Sequence, residues 1–144
     1  MSELVEVRRA CMALQARREH SRYELAQKLA RRECYEAHIQ SVLDEFQAKN
    51  LQSDERFCEA YLRMRLKQGF GPLKIRLELE QKRVDSELIE RYLSAYADEF
   101  DESLQVVFAK KFGEPAQDLK EKAKQLRFLS SRGFDFEHVR YLIK

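Results

Sequence analysis

The chain has little of what bends or cross-links a polypeptide: its 144 residues include no tryptophan, two prolines, four glycines and three cysteines. So few breakers leave long uninterrupted stretches and exclude a turn-rich β-fold. Cys11, Cys34 and Cys58 are odd in number, far apart, and in none of the short Cys-pair spacings that bind zinc or exchange disulfides. They read as buried free thiols. No stretch is apolar for the roughly 20 residues that a membrane span requires. The first residues, Met1-Ser2-Glu3-Leu4-Val5-Glu6-Val7-Arg8-Arg9, lack the apolar core of a signal peptide, so the cytoplasm is the expected location. An excess of one sign of charge is missing too, since 36% of residues are charged yet the net charge is +2. Acids and bases must interleave along solvated helix faces, and a partner has to be recognised by local patches. What is plentiful is the set of good helix formers, Leu, Ala, Glu, Lys, Arg and Gln, which predicts an all-α fold.

A period near 50 residues organises this material. Segments 24–34, 74–84 and 124–134 align, with an apolar anchor at Leu29, Leu79 and Leu129, a base at Arg32, Lys82 and Arg132, and an apolar closing residue at Cys34, Val84 and Phe134. The register continues through Ile39/Ile89/Val139, Val42/Tyr92/Leu142 and Leu43/Leu93/Ile143, whose i, i+3, i+4 spacing predicts one buried helix stripe per copy. A longer amphipathic segment precedes each pair: Val7, Ala10, Cys11 and Leu14, then Phe57, Ala60, Tyr61 and Met64, then Leu104, Val107, Phe108 and Phe112. The third copy needs extra residues after its first helix, and Gly113-Glu114-Pro115 is the expected place. Ser21 with Glu24 forms a capping-box pattern, Ser53 with Arg56 is a weaker start, and Asp85 and Asp135 stand at matching third-helix starts. A helix of about 12 residues is marginal alone in water, so the elements must hold one another. The expectation is three tandem three-helix, helix-turn-helix-like repeats in an elongated, curved array: residues 1–50, 51–97 and 98–144.

Sites of chemistry are scarce. His20, His38 and His138 have no ligand at metal-binding spacing and read as packing or half-exposed residues. Gly69-Phe70-Gly71-Pro72 lacks the strand before and the Lys-Ser/Thr after that a phosphate loop requires. It reads as a helix C-cap at Gly69 followed by Pro72 in the next first turn. Paired carboxylates such as Asp54-Glu55 and Asp98-Glu99 sit beside bases on polar faces. No nucleophile, base and orienter converge, so neither an enzyme nor a metal or other cofactor is expected. The bases say more. No acid stands between Glu59 and Glu78, where Arg63, Arg65, Lys67, Lys74 and Arg76 surround the glycine turn. Lys110, Lys111, Lys120, Lys122, Lys124 and Arg127 form a second cluster, and Arg8, Arg9, Arg17 and Arg18 a third. Such patches favour phosphates or an acidic protein face. Phe70 is the candidate platform for stacking a base, whereas most other aromatics fall at core columns.

The middle repeat carries a family resemblance. Ser53-Asp54-Glu55-Arg56-Phe57, Ala60-Tyr61, Arg65, Gly69-Phe70-Gly71-Pro72-Leu73-Lys74-Ile75-Arg76 and Glu78-Leu79 resemble the core of the RecX family. Ser21-Arg22-Tyr23-Glu24-Leu25-Ala26-Gln27-Lys28-Leu29 is similar to that family's N-terminal pattern, and Lys110-Lys111-Phe112-Gly113, Lys124, Arg127-Phe128-Leu129 and Arg132-Gly133-Phe134 carry the likeness into the third repeat. One departure is Arg83, where the family usually has the glycine that Gly133 supplies in the last copy, so this turn must be capped without it or differ. The resemblance implies binding to the RecA–DNA filament, in or along its groove, which limits filament growth, ATP hydrolysis and strand exchange in DNA repair and the SOS response. The implied partners are RecA and the single-stranded DNA inside the filament; a monomer is expected separately, because no unpaired apolar stripe is evident. The contact candidates are Arg63, Arg65, Lys67, Lys74, Arg76, Lys110, Lys111, Lys124 and Arg127; Asp54, Phe57, Tyr61, Gly69, Gly71, Pro72, Ile75 and Leu79 are the motif residues. A general DNA-binding protein without RecA specificity is the rival reading, and an adaptor for another protein is a third.

Overall fold

The computed structural model describes residues 3–142, and these are helical throughout, with no strand among them. The helices are α1 (Leu4–Arg17), α2 (Arg22–Arg31), α3 (Glu36–Ala48), α4 (Asp54–Lys67), α5 (Pro72–Gln81), α6 (Ser86–Ala95), α7 (Ala97–Lys111), α8 (Leu119–Ser131) and α9 (Phe136–Leu142). They begin where side chains can satisfy the free N–H groups of a first turn. At α2 the Ser21 hydroxyl accepts from Glu24 N while Glu24 Oε1 accepts from Ser21 N, both at 3.1 Å, which completes the capping box. Ser53 accepts from Arg56 N at 3.1 Å, but arginine cannot return the bond. Asp85 and Asp135 accept from Glu87 N and Glu137 N. Asp118 accepts from Glu121 N at 2.7 Å, a first-turn cap with the spacing of Ser21 and Glu24.

The repeated columns are explained by one turn used three times. Between the second and third helix of each copy the chain enters the left-handed region at Glu33 (φ 61°), Arg83 (φ 61°) and Gly133 (φ 102°). The next amide then bonds back five residues: Cys34 N to Leu29 O, Val84 N to Leu79 O and Phe134 N to Leu129 O, at 3.1–3.3 Å. This is the Schellman arrangement, which wants an apolar pair at those two positions, and the aligned Leu and closing residues supply it. Arg83 therefore changes nothing in the turn; it adopts the glycine conformation at a cost of about 1 kcal/mol.

Each repeat closes its own core. Val7, Cys11, Leu14, Leu25, Leu29, Ile39, Val42, Leu43 and Phe46 form the first. Phe57, Cys58, Leu62, Ile75, Leu79, Val84, Ile89, Leu93 and Phe100 form the second. Leu104, Phe108, Leu129, Phe134 and Val139 form the third, with Val107, Phe112 and Leu142 packed against it. Ile143 lies outside the described residues. Cys11 and Cys58 are buried, and burial pushes both thiols up to about 11, while Cys34 is half-buried.

One expectation needs correction, and one buried polar residue went unread. In α4 the core side is Phe57, Cys58 and Leu62, whereas Ala60 and Met64 are exposed. Repeat one lies alongside α4, so its second apolar stripe lines a cleft with Arg18, Glu19, Glu24 and Lys82 rather than entering the core. In the third copy the column of Leu25 and Ile75 holds a buried glutamine, Gln125. Its side chain accepts from Ala116 N and donates to Glu114 O, both at 3.1 Å, and so pins the longer connection 112–118 at the place expected for the insertion.

Candidate functional site

The motif residues of the middle repeat converge on two joints, built differently. At the first, Asp54 Oδ1 accepts from Arg22 N and from Gln52 Nε2 at 2.9 Å each, so it serves the first turn of α2 in the preceding repeat. Glu19 pairs with Arg56 at 3.0 Å and Glu24 with Lys82 at 3.2 Å, and the Arg83 guanidinium lies 5.0 Å from the Tyr23 ring. Every one of these contacts runs through a side chain.

At the second joint backbone meets backbone. Gly71 N donates to Arg132 O at 2.7 Å and Leu73 N to Gly133 O at 2.9 Å. The approach is close enough that a β-carbon on Gly71 would stand 2.5 Å from the Gly133 carbonyl. Arg132 reaches back to donate to Gln68 O at 2.7 Å and Gly69 O at 3.3 Å. Phe70 is held between two guanidinium groups, Arg65 at 3.8 Å and Arg132 at 4.2 Å from its centroid. The Gly69-Phe70-Gly71-Pro72 turn thus ends α4 through the left-handed Gly69 (φ 89°), one residue past the C-cap Gln68, and has Pro72 at the start of α5, close to what the sequence predicts. Its further use as the seam between two repeats was not legible, because Arg132 and Gly133 lie some 60 residues away. Phe70 is no free stacking platform.

The central basic run is divided by the fold. Arg65 donates to both oxygens of Glu78 at 2.9 Å, and Tyr61 OH donates to Glu78 at 2.8 Å. Burial opposes ionisation of Glu78, but Arg65 and the Tyr61 hydroxyl outweigh it and hold the carboxyl below its usual range. Burial, then Glu78, pushes the Tyr61 phenol up to about 12. Arg76 forms a two-point pair with Glu90 at 2.6 and 2.8 Å. The acids were distant in sequence or just past the run, so its purity as a patch was illusory. Lys74 is half-buried with its Nζ 5.1 Å from the Phe70 ring, and Arg63 is exposed. Lys124 pairs with Glu121 one turn away, and Arg127 is exposed. Phe57, Ile75 and Leu79 are buried in the second core. In the N-terminal cluster, Arg8 pairs with Glu45 and Arg18 with Glu24.

Three of the expected bases do come together. Lys67 from the end of α4 faces Lys110 and Lys111 from the end of α7 across an open groove of about 610 Å³, with Arg132 on its wall. Val106, Val107 and Phe128 give it an apolar lining, and Glu99, Glu102 and Ser103 continue it along α7. Lys111 lies 5.1 Å from the Phe128 ring. No cluster of His, Cys, Asp and Glu able to hold a metal occurs among the described residues, and none of their helices is long and apolar enough to cross a membrane.

The architecture of three helical units in tandem matches sequence patterns for one family in all three units: the first three-helix domain of RecX at residues 8–46, the second at 53–93 and the third at 97–143. The chain belongs to the RecX family. The regulatory protein RecX of Chromohalobacter salexigens is 44% identical over 128 residues, covering 89% of this chain and 84% of that protein. The protein of the same name from Pseudomonas syringae pv. tomato is 39% identical over 140 residues, 96% and 90% of the two chains. The crystal structure of RecX from Lactobacillus salivarius shares the fold with a TM-score of 0.82 at 20% identity, over 97% of this chain and 94% of that one. A further crystal structure of a regulatory protein RecX gives 0.80 at 16% identity, over 96% and 70%. The RecX repeat resembles DNA-reading three-helix units, in which the third helix enters the major groove. Here the third helices carry both signs: Asp44 on α3 and Glu90 on α6 pair with Arg22 and Arg76, while Arg91 on α6 and Arg140 on α9 are exposed.

Proposed function

We propose that this chain regulates RecA: it binds the RecA–DNA filament and limits filament extension, ATP hydrolysis and strand exchange, without catalysis or a cofactor of its own. The observation that carries the reading is the match of all three repeats to RecX, whose curated relatives are named regulatory proteins. Three units in tandem suit a partner that is itself a row of identical subunits, because successive repeats can address successive subunits. The groove of Lys67, Lys110 and Lys111 is the preferred contact surface, with Arg63, Lys74 and Arg127 as further exposed or half-exposed bases. The cytoplasm, in the setting of recombinational repair and the SOS response, is the corresponding place of action, and a monomer is the working form.

The test is the rate of ATP hydrolysis by RecA on single-stranded DNA as this protein is titrated in. A fall at far less than one regulator per RecA is expected. No effect until the DNA itself is saturated would replace the reading with general DNA binding.

A further inference from the structure

We propose that the groove of the second joint receives an amphipathic protein segment, acidic at one end and basic at the other, rather than a nucleic-acid strand. The inference rests on the filament reading for its partner and deepens it by naming the chemistry that fills this groove. One wall is a single face of α7: Glu99, Glu102, Ser103, Val106, Val107, Lys110 and Lys111, at helical i, i+3, i+4 spacing. Charge changes sign along it. The acids stand at its N-terminal end and the bases at its C-terminal end, and Lys67 across the groove adds to the basic end. From Glu99 to Lys110 the axial distance is roughly 16 Å at the rise of an α-helix, too far for the two ends to neutralise each other in water.

Neither end is already satisfied. No ion pair engages Glu99, Glu102, Lys67 or Lys110 among the described residues, and all four are exposed. Between the ends Val106 is 64% exposed and, with Val107 and Phe128, forms an apolar stretch. Arg132 is spent on the carbonyls of Gln68 and Gly69 and holds the wall in place. A nucleic-acid strand carries the same charge at every phosphate, so one following this groove past the lysines would run into Glu99 and Glu102. A helix of about three turns meets all the features at once: its apolar stripe on Val106, Val107 and Phe128, its acids over the lysines and its bases over the glutamates.

Reversing each end separately tests this on the full chain. Glu99→Lys with Glu102→Lys, and Lys110→Glu with Lys111→Glu, are titrated onto preassembled RecA filaments on dye-labelled single strands, and onto the bare strand. All four positions are exposed, and the thermal melt of each variant confirms that it folds. Both pairs are expected to weaken filament binding by about tenfold. Filament binding by the acid-end variant that equals or exceeds that of the unchanged chain would overturn the proposal, because a polyanion in the groove gains from that reversal. Val106→Asp should weaken binding and Val106→Leu preserve it; equal binding by both would also overturn it. Failure of the unchanged chain to bind filaments would instead overturn the filament reading, and this proposal with it.

Discussion

Gly133 shows how much a single residue fixes here. Its φ of 102° is one that side-chain-bearing residues rarely adopt, and a β-carbon would lie 2.5 Å from Lys74 Cβ and 2.7 Å from Lys74 N. Gly113 has a similar φ of 84° but meets nothing within 4 Å. Alanine at Gly113 should therefore cost only the backbone strain, about 1 kcal/mol, and alanine at Gly133 about 3 kcal/mol because the joint must also part. Urea denaturation of both variants checks this, and equal losses would mean that the joint yields freely. The same turn in the first repeat has Glu33 at φ 61°, exposed and in no ion pair among the described residues. Glu33→Gly should raise stability by about 1 kcal/mol, since glycine enters this region without the Cβ penalty. Unchanged stability would mean that the extra freedom of glycine in the unfolded chain offsets the relief.

Among the elements, helix positions were readable because their signals are local: caps at Ser21 and Ser53, Pro72 at a first turn, and apolar columns that the Schellman turn requires. The candidate site was less readable because its meaning depends on long-range partners. Arg65 and Arg76 read as free bases until Glu78 and Glu90 are folded against them, and Asp54 reads as a surface acid until it caps α2. His20 is another case: it ties α1, α2 and the start of the second repeat. It is 1% exposed, with Nδ1 3.0 Å from Arg18 O and Nε2 2.8 Å from Lys28 Nζ. The carbonyl only accepts and the ammonium only donates, so the ring is neutral with its proton on Nδ1. Burial, then the charges of Arg18 and Lys28, lowers its pKa below the ordinary 6.5, despite Glu24 nearby. As pH falls below 6.5 the unfolded chain takes up a proton that the folded chain refuses. The stabilisation is complete above that value and is lost as pH falls toward the lowered one. Urea midpoints measured downward from pH 6.5 should decline, and His20→Gln should flatten the decline while leaving the separate carboxylate loss at lower pH. The same slope in both proteins would place its origin elsewhere.

At the scale of the whole molecule, the two joints set different stiffness. Residues 49–53 connect α3 to α4, whereas Tyr96 alone separates α6 from α7, and α7 sends Phe100 into the second core and Leu104 into the third. The second joint adds amide bonds from Gly71 and Leu73, while the first relies on side chains: Glu19–Arg56, Glu24–Lys82, the Asp54 carboxylate and one neutral bond from Gln52 Nε2 to His20 O. Both ion pairs are half-buried but still reached by solvent, so salt screens them, whereas a hydrogen bond between backbone amides has no net charge to screen. Repeats two and three should then behave as one body carrying the groove, with repeat one as an arm whose angle responds to ionic strength. Amide hydrogen exchange reads this directly, because Arg22 N donates to Asp54 across the first joint, and Gly71 N and Leu73 N donate across the second. Raising salt to about 1 M, where the screening length falls to about 3 Å, should speed exchange at Arg22 and leave Gly71 and Leu73 protected. Equal loss of protection at all three would make the array uniformly soft. No change at Arg22 would make it uniformly rigid, with the first repeat held at one angle to the other two at any salt.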